Sequence, residues 1–251
     1  MTDWFLSRGA PTPWSARVFC FPHAGGNPRT FLDWQPALGD EAEIVAVCAP
    51  GRAHRAGEPV PTMDELIAGA TSAIRAELDE RPSYLFGHSM GALVAFEVAR
   101  RMRDVPTLWH LIASGVSAPS LLPSQRVREL ARMNGREFAE AVTFFGGMPP
   151  ELVAEEEVRD LLLPGVMADF RMAAGYRYRP APTLAIGVTL INGRDDPHVG
   201  PPQLAPWDRE CATPPVRRWA DGGHFYFEPD PSAAVELLLD VIRADQHVEV
   251  I

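Results

Sequence analysis

The chain predicts an α/β fold built on a mostly parallel sheet with helices on both faces, and three observations carry that prediction. Its apolar runs of strand length, such as Ile44–Ala49 and Leu108–Ser114, are continuous rather than alternating. Strands buried on both faces read that way, and such strands belong to parallel sheets. These runs alternate with stretches at helical spacing, giving strand, helix, strand, helix. Finally, 251 residues at 46% hydrophobic content are enough to hide one sheet under two helical layers.

In order, residues 1–16, with Pro11 and Pro13, form an irregular lead-in. Arg17–Pro22 is the first strand and runs into His23-Ala-Gly-Gly26. A helical patch follows around Phe31 to Leu38, then a second strand at Ile44–Ala49, stopped by Pro50-Gly51. Pro50–Pro61 is a loop rich in Pro, Gly and Arg. Thr62-Met-Asp-Glu65 has capping-box form, and Leu66, Ala70, Ile74 and Leu78 continue it as a helix. Tyr84–Phe86 is a short strand, and the stretch from Leu93 to Arg100 is a helix with a charged tail. Leu108–Ser114 is another strand.

From Pro119 the rhythm changes. Helical signals occupy Ser124–Met133, Arg136–Phe145, Pro150–Leu163 and Pro164–Tyr178, with no strand among them. Helices inserted there would lie over the carboxyl ends of the strands as a lid. The expected division is residues 1–118 for the first part of the core, 119–180 for the lid and 181–251 for the rest of the core. Most apolar lid side chains are expected to pack the lid onto the body. Phe144, Phe145, Met148 and Phe170 are the candidates for the walls of an acyl pocket. Strands return at Gly187–Asn192 and Val216–Ala220, and Asp230-Pro231 opens a last helix over Ser232–Ala244.

Between the strand ending at Phe86 and the helix beyond lies Gly87-His88-Ser89-Met90-Gly91. A strand that becomes a helix within two or three residues must bend sharply. The bend lifts the central serine hydroxyl clear of the sheet, at the positive end of the helix dipole, while the glycines allow close packing. Ser89 is therefore the candidate nucleophile.

A serine needs a base. Among the seven histidines, His224 lies in a glycine-flanked loop after the last strand and is the candidate; His23 is the runner-up. His88 adjoins Ser89, but neighbouring side chains diverge on such a bend, and His198 is too near the acidic pair to be oriented by it. The base needs a buried carboxylate to fix its tautomer. Asp196 is preferred, because Pro197 rigidifies its loop, with Asp195 as the alternative. The order Ser89, Asp196, His224 is that of the α/β-hydrolase fold. The N–H groups of Met90, next after the nucleophile, and of Ala24, in the early glycine loop, are the candidate oxyanion donors.

Composition narrows the remaining classes. A formal charge of −10 offers no broad basic field for nucleic acid or an anionic membrane. The chain contains no lysine, which excludes lysine-based covalent chemistry and lysine phosphate clamps. Three cysteines, far apart and outside any metal-ligand spacing, argue for no metal site and a reducing compartment. Without a signal peptide or an apolar run near membrane length, the expectation is a soluble cytoplasmic protein.

Taken together, Phe21-Pro-His-Ala-Gly-Gly26, Pro50-Gly-Arg52, Gly87-His-Ser-Met-Gly91, Gly193-Arg-Asp-Asp-Pro197 and Gly222-Gly-His-Phe225 resemble the type II thioesterases, the free-standing editing hydrolases of polyketide and nonribosomal peptide assembly lines. The likeness extends to Leu162-Leu-Pro164, Asp169-Phe-Arg171 and Tyr176 in the lid. It implies Ser89, Asp196 and His224 as a catalytic triad, with Ala24 and Met90 as oxyanion donors. It also implies a substrate: an acyl group on the phosphopantetheine arm of an acyl carrier protein or peptidyl carrier domain, with no cofactor of the enzyme's own. A monomer is expected. Arg126, Arg128, Arg132 and Arg136 are candidates for a local docking patch or, alternatively, plain solvated arginines. An acyl-CoA thioesterase or small-molecule carboxylesterase would use the same triad, and a non-catalytic binder of acyl groups or carrier proteins is a third reading.

Overall fold

A computed structural model of the chain describes residues 3–9, 14–142, 156–228 and 230–248. Among the described residues, seven strands form one sheet in the order β1-β3-β2-β4-β5-β6-β7. These are β1 (Phe5–Leu6), β2 (Ala16–Phe21), β3 (Ala42–Val47), β4 (Ser83–His88), β5 (Leu108–Ser114), β6 (Gly187–Gly193) and β7 (Val216–Ala220). All neighbours run parallel except β1, which pairs antiparallel with β3 through Phe5↔Val47 and Leu6↔Ala46. The irregular lead-in expected over residues 1–16 therefore contains a strand. Two residues are too few to show a period, and only the neighbouring edge of β3 organises them.

Every residue of β3 and β4 is buried, as continuous apolar runs require. Successive side chains of β4 go to opposite layers. Leu85 joins Leu66, Ile74 and Phe96, from the helices α3 (Met63–Glu77) and α4 (Met90–Arg101). Tyr84 and Phe86 join Trp34, at the N-cap of α2 (Gln35–Leu38), and Leu238 and Ile242 of α9 (Ser232–Val248). Each fully buried side chain of this size contributes about 2–3 kcal/mol. The capping box of α3 is formed as its sequence requires. Thr62 Oγ1 accepts the Glu65 N–H at 3.3 Å, and Glu65 Oε2 accepts the Thr62 N–H at 2.8 Å. At the far end of α9, Asp245 Oδ2 lies 2.8 Å from His110 Nδ1, and His110 Nε2 lies 2.9 Å from Thr189 Oγ1. This chain of bonds fastens the last helix to the amino-terminal ends of β5 and β6.

The described part of residues 119–180 is helical apart from its connections, with α5 (Gln125–Leu130), α6 (Gly135–Val142) and α7 (Glu156–Gly175). β5 and β6, on either side of this stretch in the chain, pair directly, from His110↔Gly187 to Ser114↔Ile191. The segments expected as two helices, broken before Pro164, are one: α7 runs through the proline. A proline removes one helical hydrogen bond, but Leu163, Val166 and Phe170 on one face of α7 pack with Leu130, Phe138 and Val142. That burial outweighs the lost bond. This lid cluster is separate from the two clusters that flank the sheet. Helices α1 (Arg29–Leu32) and α2 divide the patch expected around Phe31 to Leu38, and a short α8 (Pro201–Leu204) follows β6.

Candidate active site

The chain passes from β2 to β3 on one side and then crosses back to β4 on the other. The loops after β2 and β4 therefore open a crevice at the strands' carboxyl ends, where open α/β sheets bind ligands. Ser89 sits in that crevice between β4 and α4, with φ 54° and ψ −117°, a backbone region that non-glycine residues rarely enter. Its own N–H donates to Ser114 O at the end of β5, at 2.8 Å, and holds the turn. The flanking glycines are required by space. A Cβ on Gly87 would stand 2.4 Å from Gly91 O, and one on Gly91 would stand 2.2 Å from Phe21 O.

Asp196 and His224 meet. Asp196 Oδ2 lies 2.7 Å from His224 Nδ1, with the aspartate side chain 0% exposed and the histidine side chain 6% exposed. Asp196 Oδ1 accepts the N–H groups of His198 at 2.7 Å and Val199 at 3.2 Å. Burial works to raise the Asp196 pKa, but the bond and charge of His224 and the His198 N–H prevail, holding the carboxyl below its ordinary value. Asp195 is exposed, with its N–H on Gly222 O. Asp196 is thus the carboxylate that orients His224.

Three further histidines surround His224, and each has its pKa lowered by burial first. His88 is wholly buried, with Nδ1 2.9 Å from Ser114 Oγ, which in turn lies 3.0 Å from Tyr226 Oη. Burial first, then the neighbouring charges of His224 and His23, push its pKa well below the usual value. His23 packs edge-on against Phe225, with ring centroids 4.8 Å apart, and burial followed by the charge of His224 lowers its pKa to about 4. His198 contributes a backbone N–H to Asp196, while its ring stands 5.5 Å from that of His224. Of the four, His224 is the one whose ring Nδ1 meets the buried Asp196 carboxylate, at 2.7 Å.

Ser89, His224, Met90, Ala24, His198 and Phe170 line one cavity of about 120 Å³. Met90 is the first residue of α4, so its N–H has no partner within the helix. Gly25 N–H and Gly26 N–H are taken by Asp169 and by His23 O, whereas Ala24 N–H has no hydrogen bond among the described residues. The two residues that carry these N–H groups line the same cavity as the serine. Of the four proposed acyl-pocket residues, Phe170 is placed on the cavity wall, and Phe144, Phe145 and Met148 lie outside the described residues.

Two features had no reading from residue types alone. One is the Ser114–Tyr226 pair that supports His88; only the fold brings Ser114 beside Tyr226. The other is Asp169, an acidic residue 5% exposed on the buried face of α7. A lone carboxylate on an otherwise apolar helix face was its signal. A larger hollow of about 480 Å³ adjoins the site and shares Leu122 and Pro123 with it; Arg128, Arg132, Arg177 and Tyr178 line its far side. Of the four arginines put forward for docking, Arg126 and Arg136 pair within their helices, with Glu129 at 3.9 Å and Glu140 at 3.4 Å. Arg128 and Arg132 face the hollow.

The sequence profile of the thioesterase domain family matches residues 16–244. The thioesterase PikA5 of Streptomyces venezuelae is 34% identical over 226 residues, spanning 88% of this chain and 79% of its own length. A probable cadicidin biosynthesis thioesterase of Streptomyces griseus is 35% identical over 244 residues, with 92% of this chain and 64% of that one covered. Among solved structures, the type II thioesterase BorB from the borrelidin biosynthetic cluster superposes with a TM-score of 0.83 at 30% identity, over 95% of this chain and 97% of that one. YbtT, a type II thioesterase from the yersiniabactin NRPS/PKS pathway, gives 0.84 at 27% identity, over 98% and 99%.

Proposed function

This chain belongs to the thioesterase domain family and has the α/β-hydrolase fold of its type II thioesterase neighbours, and from that premise we propose how it works and on what. It hydrolyses acyl groups from the phosphopantetheine arm of acyl or peptidyl carrier proteins, clearing stalled or aberrant units in polyketide or nonribosomal peptide synthesis. The observation that carries this reading is the buried Asp196–His224 pair, 2.7 Å apart, on the same cavity as a serine at positive φ.

His224 Nε2 removes the proton of Ser89 Oγ as the oxygen attacks the thioester carbonyl. Negative charge develops on the carbonyl oxygen, opposite the N–H groups of Ala24 and Met90. The C–S bond then breaks, and the pantetheine sulfur leaves with the proton held by His224. Water, deprotonated by the same imidazole, attacks the acyl-serine; the carboxylic acid departs and Ser89 regains its proton. Asp196 remains ionised throughout and stabilises the imidazolium. The mostly apolar cavity distinguishes acyl chains only by about 1 kcal/mol per methylene, which suits an editing enzyme of broad tolerance.

The arginine-lined hollow supports a carrier protein as the partner. On a chain of net charge −10, Arg128, Arg132 and Arg177 form a local basic wall beside the serine cavity, suited to the phosphate of the pantetheine arm and an acidic carrier surface. No described helix is long and apolar enough to cross a membrane. On this reading the enzyme acts in the cytoplasm, as a monomer and without a cofactor.

Turnover of one acyl group on a carrier protein, on CoA and on a simple aryl ester tests the proposal, with the mass of the adduct on Ser89 read alongside. Carrier-bound substrate should have the highest kcat/KM, and Ser89→Ala should abolish both turnover and adduct. Equal or faster turnover of acyl-CoA would favour a CoA thioesterase. Undiminished pathway rescue by Ser89→Ala would favour a binding role. Arg128→Glu with Arg132→Glu should lower kcat/KM for the carrier-bound acyl group more than for a free acyl-pantetheine; equal losses would remove the docking role.

A further inference from the structure

Three segments distant in the chain meet behind the cavity: the loop after β2, the loop after β3, and α7. Asp169 of α7 joins them. Its Oδ2 accepts the Gly25 N–H at 2.7 Å and Arg52 Nε at 3.3 Å, and its Oδ1 accepts Arg52 Nη2 in a second, shorter bond. The same Arg52 Nη2 donates to Gly165 O at 2.7 Å, and Nη1 donates to Gly51 O at 2.8 Å. Arg52 is thus bidentate to the carboxylate while holding the backbone of α7 one turn earlier. The contact is close. A Cβ on Gly25 (φ +77°) would stand 2.7 Å from a methyl of Val166 in α7, so only glycine lets the loop and the helix come this near.

These bonds bear on the Ala24 N–H, which has no hydrogen bond among the described residues. His23 C=O accepts the Gly26 N–H at 2.9 Å. The peptide is planar and trans, so fixing that carbonyl directs the Ala24 N–H the opposite way. The next peptide is fixed at its own N–H, by Asp169 through Gly25. Both peptide planes flanking the Ala24 Cα are therefore held, one by the turn itself and one by a carboxylate that belongs to the lid. With no bulk solvent at Asp169, Arg52 and the Gly25 N–H are what compensates its charge. Burial nevertheless raises its pKa, against the opposing influence of Arg52.

We propose that Asp169 and Arg52 are positioning residues that set the Ala24 N–H for the tetrahedral intermediate, so that seating of α7 and preparation of the oxyanion site are one event. This rests on the reading of Ala24 and Met90 as oxyanion donors. An enzyme whose lid helix is lifted would retain the Asp196–His224 pair and yet be slow, because charge would develop opposite an unaligned donor. Hydrolysis would then be confined to molecules whose lid is seated.

The test uses the full-length enzyme and the variants Asp169→Asn and Arg52→Lys. Three quantities are read: kcat and KM on a short acyl-pantetheine thioester, the affinity of a boronic acid that forms a tetrahedral adduct with Ser89, and the affinity of an S-alkyl pantetheine of the same length that lacks the carbonyl. Removing an oxyanion donor outright costs roughly 10²–10³ in kcat. Misaligning one should cost less, roughly 10- to 100-fold in kcat for Asp169→Asn, with a parallel loss of boronate affinity and little change in KM or thioether affinity. Arg52→Lys, which keeps the charge and loses the fork, should fall between Asp169→Asn and the wild type. Unchanged kcat in a folded variant overturns the proposal, as does an equal loss of boronate and thioether affinity, which would mean a collapsed pocket. Should Asp169→Asn not fold, Arg52→Lys with wild-type kcat and boronate affinity overturns it alone. Failure of the wild type to bind the boronate, or binding undiminished in Ser89→Ala, would instead count against the serine mechanism.

Discussion

Replacing Asp196 with asparagine isolates the task of the carboxylate from its place in the fold. Asp196 uses both oxygens: Oδ1 takes the N–H groups of His198 and Val199, and Oδ2 faces His224 Nδ1 at 2.7 Å. An amide has one oxygen. Keeping it on the two backbone donors turns its NH₂ toward Nδ1, which must then accept a hydrogen bond and lose its proton to Nε2. An imidazole protonated at Nε2 cannot take the proton of Ser89. The expected loss is roughly 10³–10⁴ in kcat, as for the equivalent change in a serine protease triad. At about 1.4 kcal/mol per decade that is about 4–5.5 kcal/mol of barrier. The thermal midpoint should move little, because the backbone bonds of the loop survive. Initial rates on an acyl-pantetheine thioester, with a melting curve for each protein, give the answer. Asp195→Asn, at an exposed position, serves as the comparison and should stay within about twofold of wild type. A drop below about tenfold in folded Asp196→Asn, or a larger loss in Asp195→Asn, would refute the assignment of the orienting carboxylate.

Three further outcomes follow from the geometry. Gly91→Ala places a Cβ 2.2 Å from Phe21 O and 2.4 Å from Pro22 O, both backbone atoms; it should cost more than about 3 kcal/mol in urea unfolding, whereas Gly175→Ala, with nothing within 4 Å, should be near neutral. Phe170 packs on Phe138 (centroids 5.4 Å apart) and lines the cavity, so Phe170→Ala should shift relative kcat/KM toward longer acyl chains, at a stability cost of about 3 kcal/mol; an unchanged chain-length profile would remove it from the acyl wall. For pH, the pKa of His23 falls to about 4 in the fold. The unfolded chain binds that proton near pH 6.5 and the native state does not, so stability is lost as pH falls from about 6.5 toward 4. The thermal midpoint should therefore drop between about pH 7 and 5, and His23→Gln should flatten that slope; an equally steep slope would refute the point.

Much of the fold could be read from residue order because its causes are local or periodic. Continuous apolar runs marked the central strands, and the glycines around Ser89 are demanded by contacts as short as 2.2 Å. Asp196 and His224 were legible because each follows a strand in the order the chemistry needs. What escaped was set by distant partners. β1 exists only as an addition to β3, and α7 continues past Pro164 because the lid cluster holds both sides of it. Pro164 looked like a boundary because local preference opposes a helix there, and tertiary packing overrode it. Asp169 stood in the lid motif shared with the family, but its bonds could not be read from it: its partners, Gly25 and Arg52, lie 144 and 117 residues away.

The backbone of Ser89 has a consequence for descent. Its torsions, φ 54° and ψ −117°, suit glycine, and a serine held there costs of order 1–3 kcal/mol. Selection for folding alone would favour glycine at this position, and only the hydroxyl works against that drift. Relatives that have given up hydrolysis while keeping the scaffold should accumulate glycine at the bend, and Ser89→Gly should make this protein melt at a higher temperature while leaving it inert.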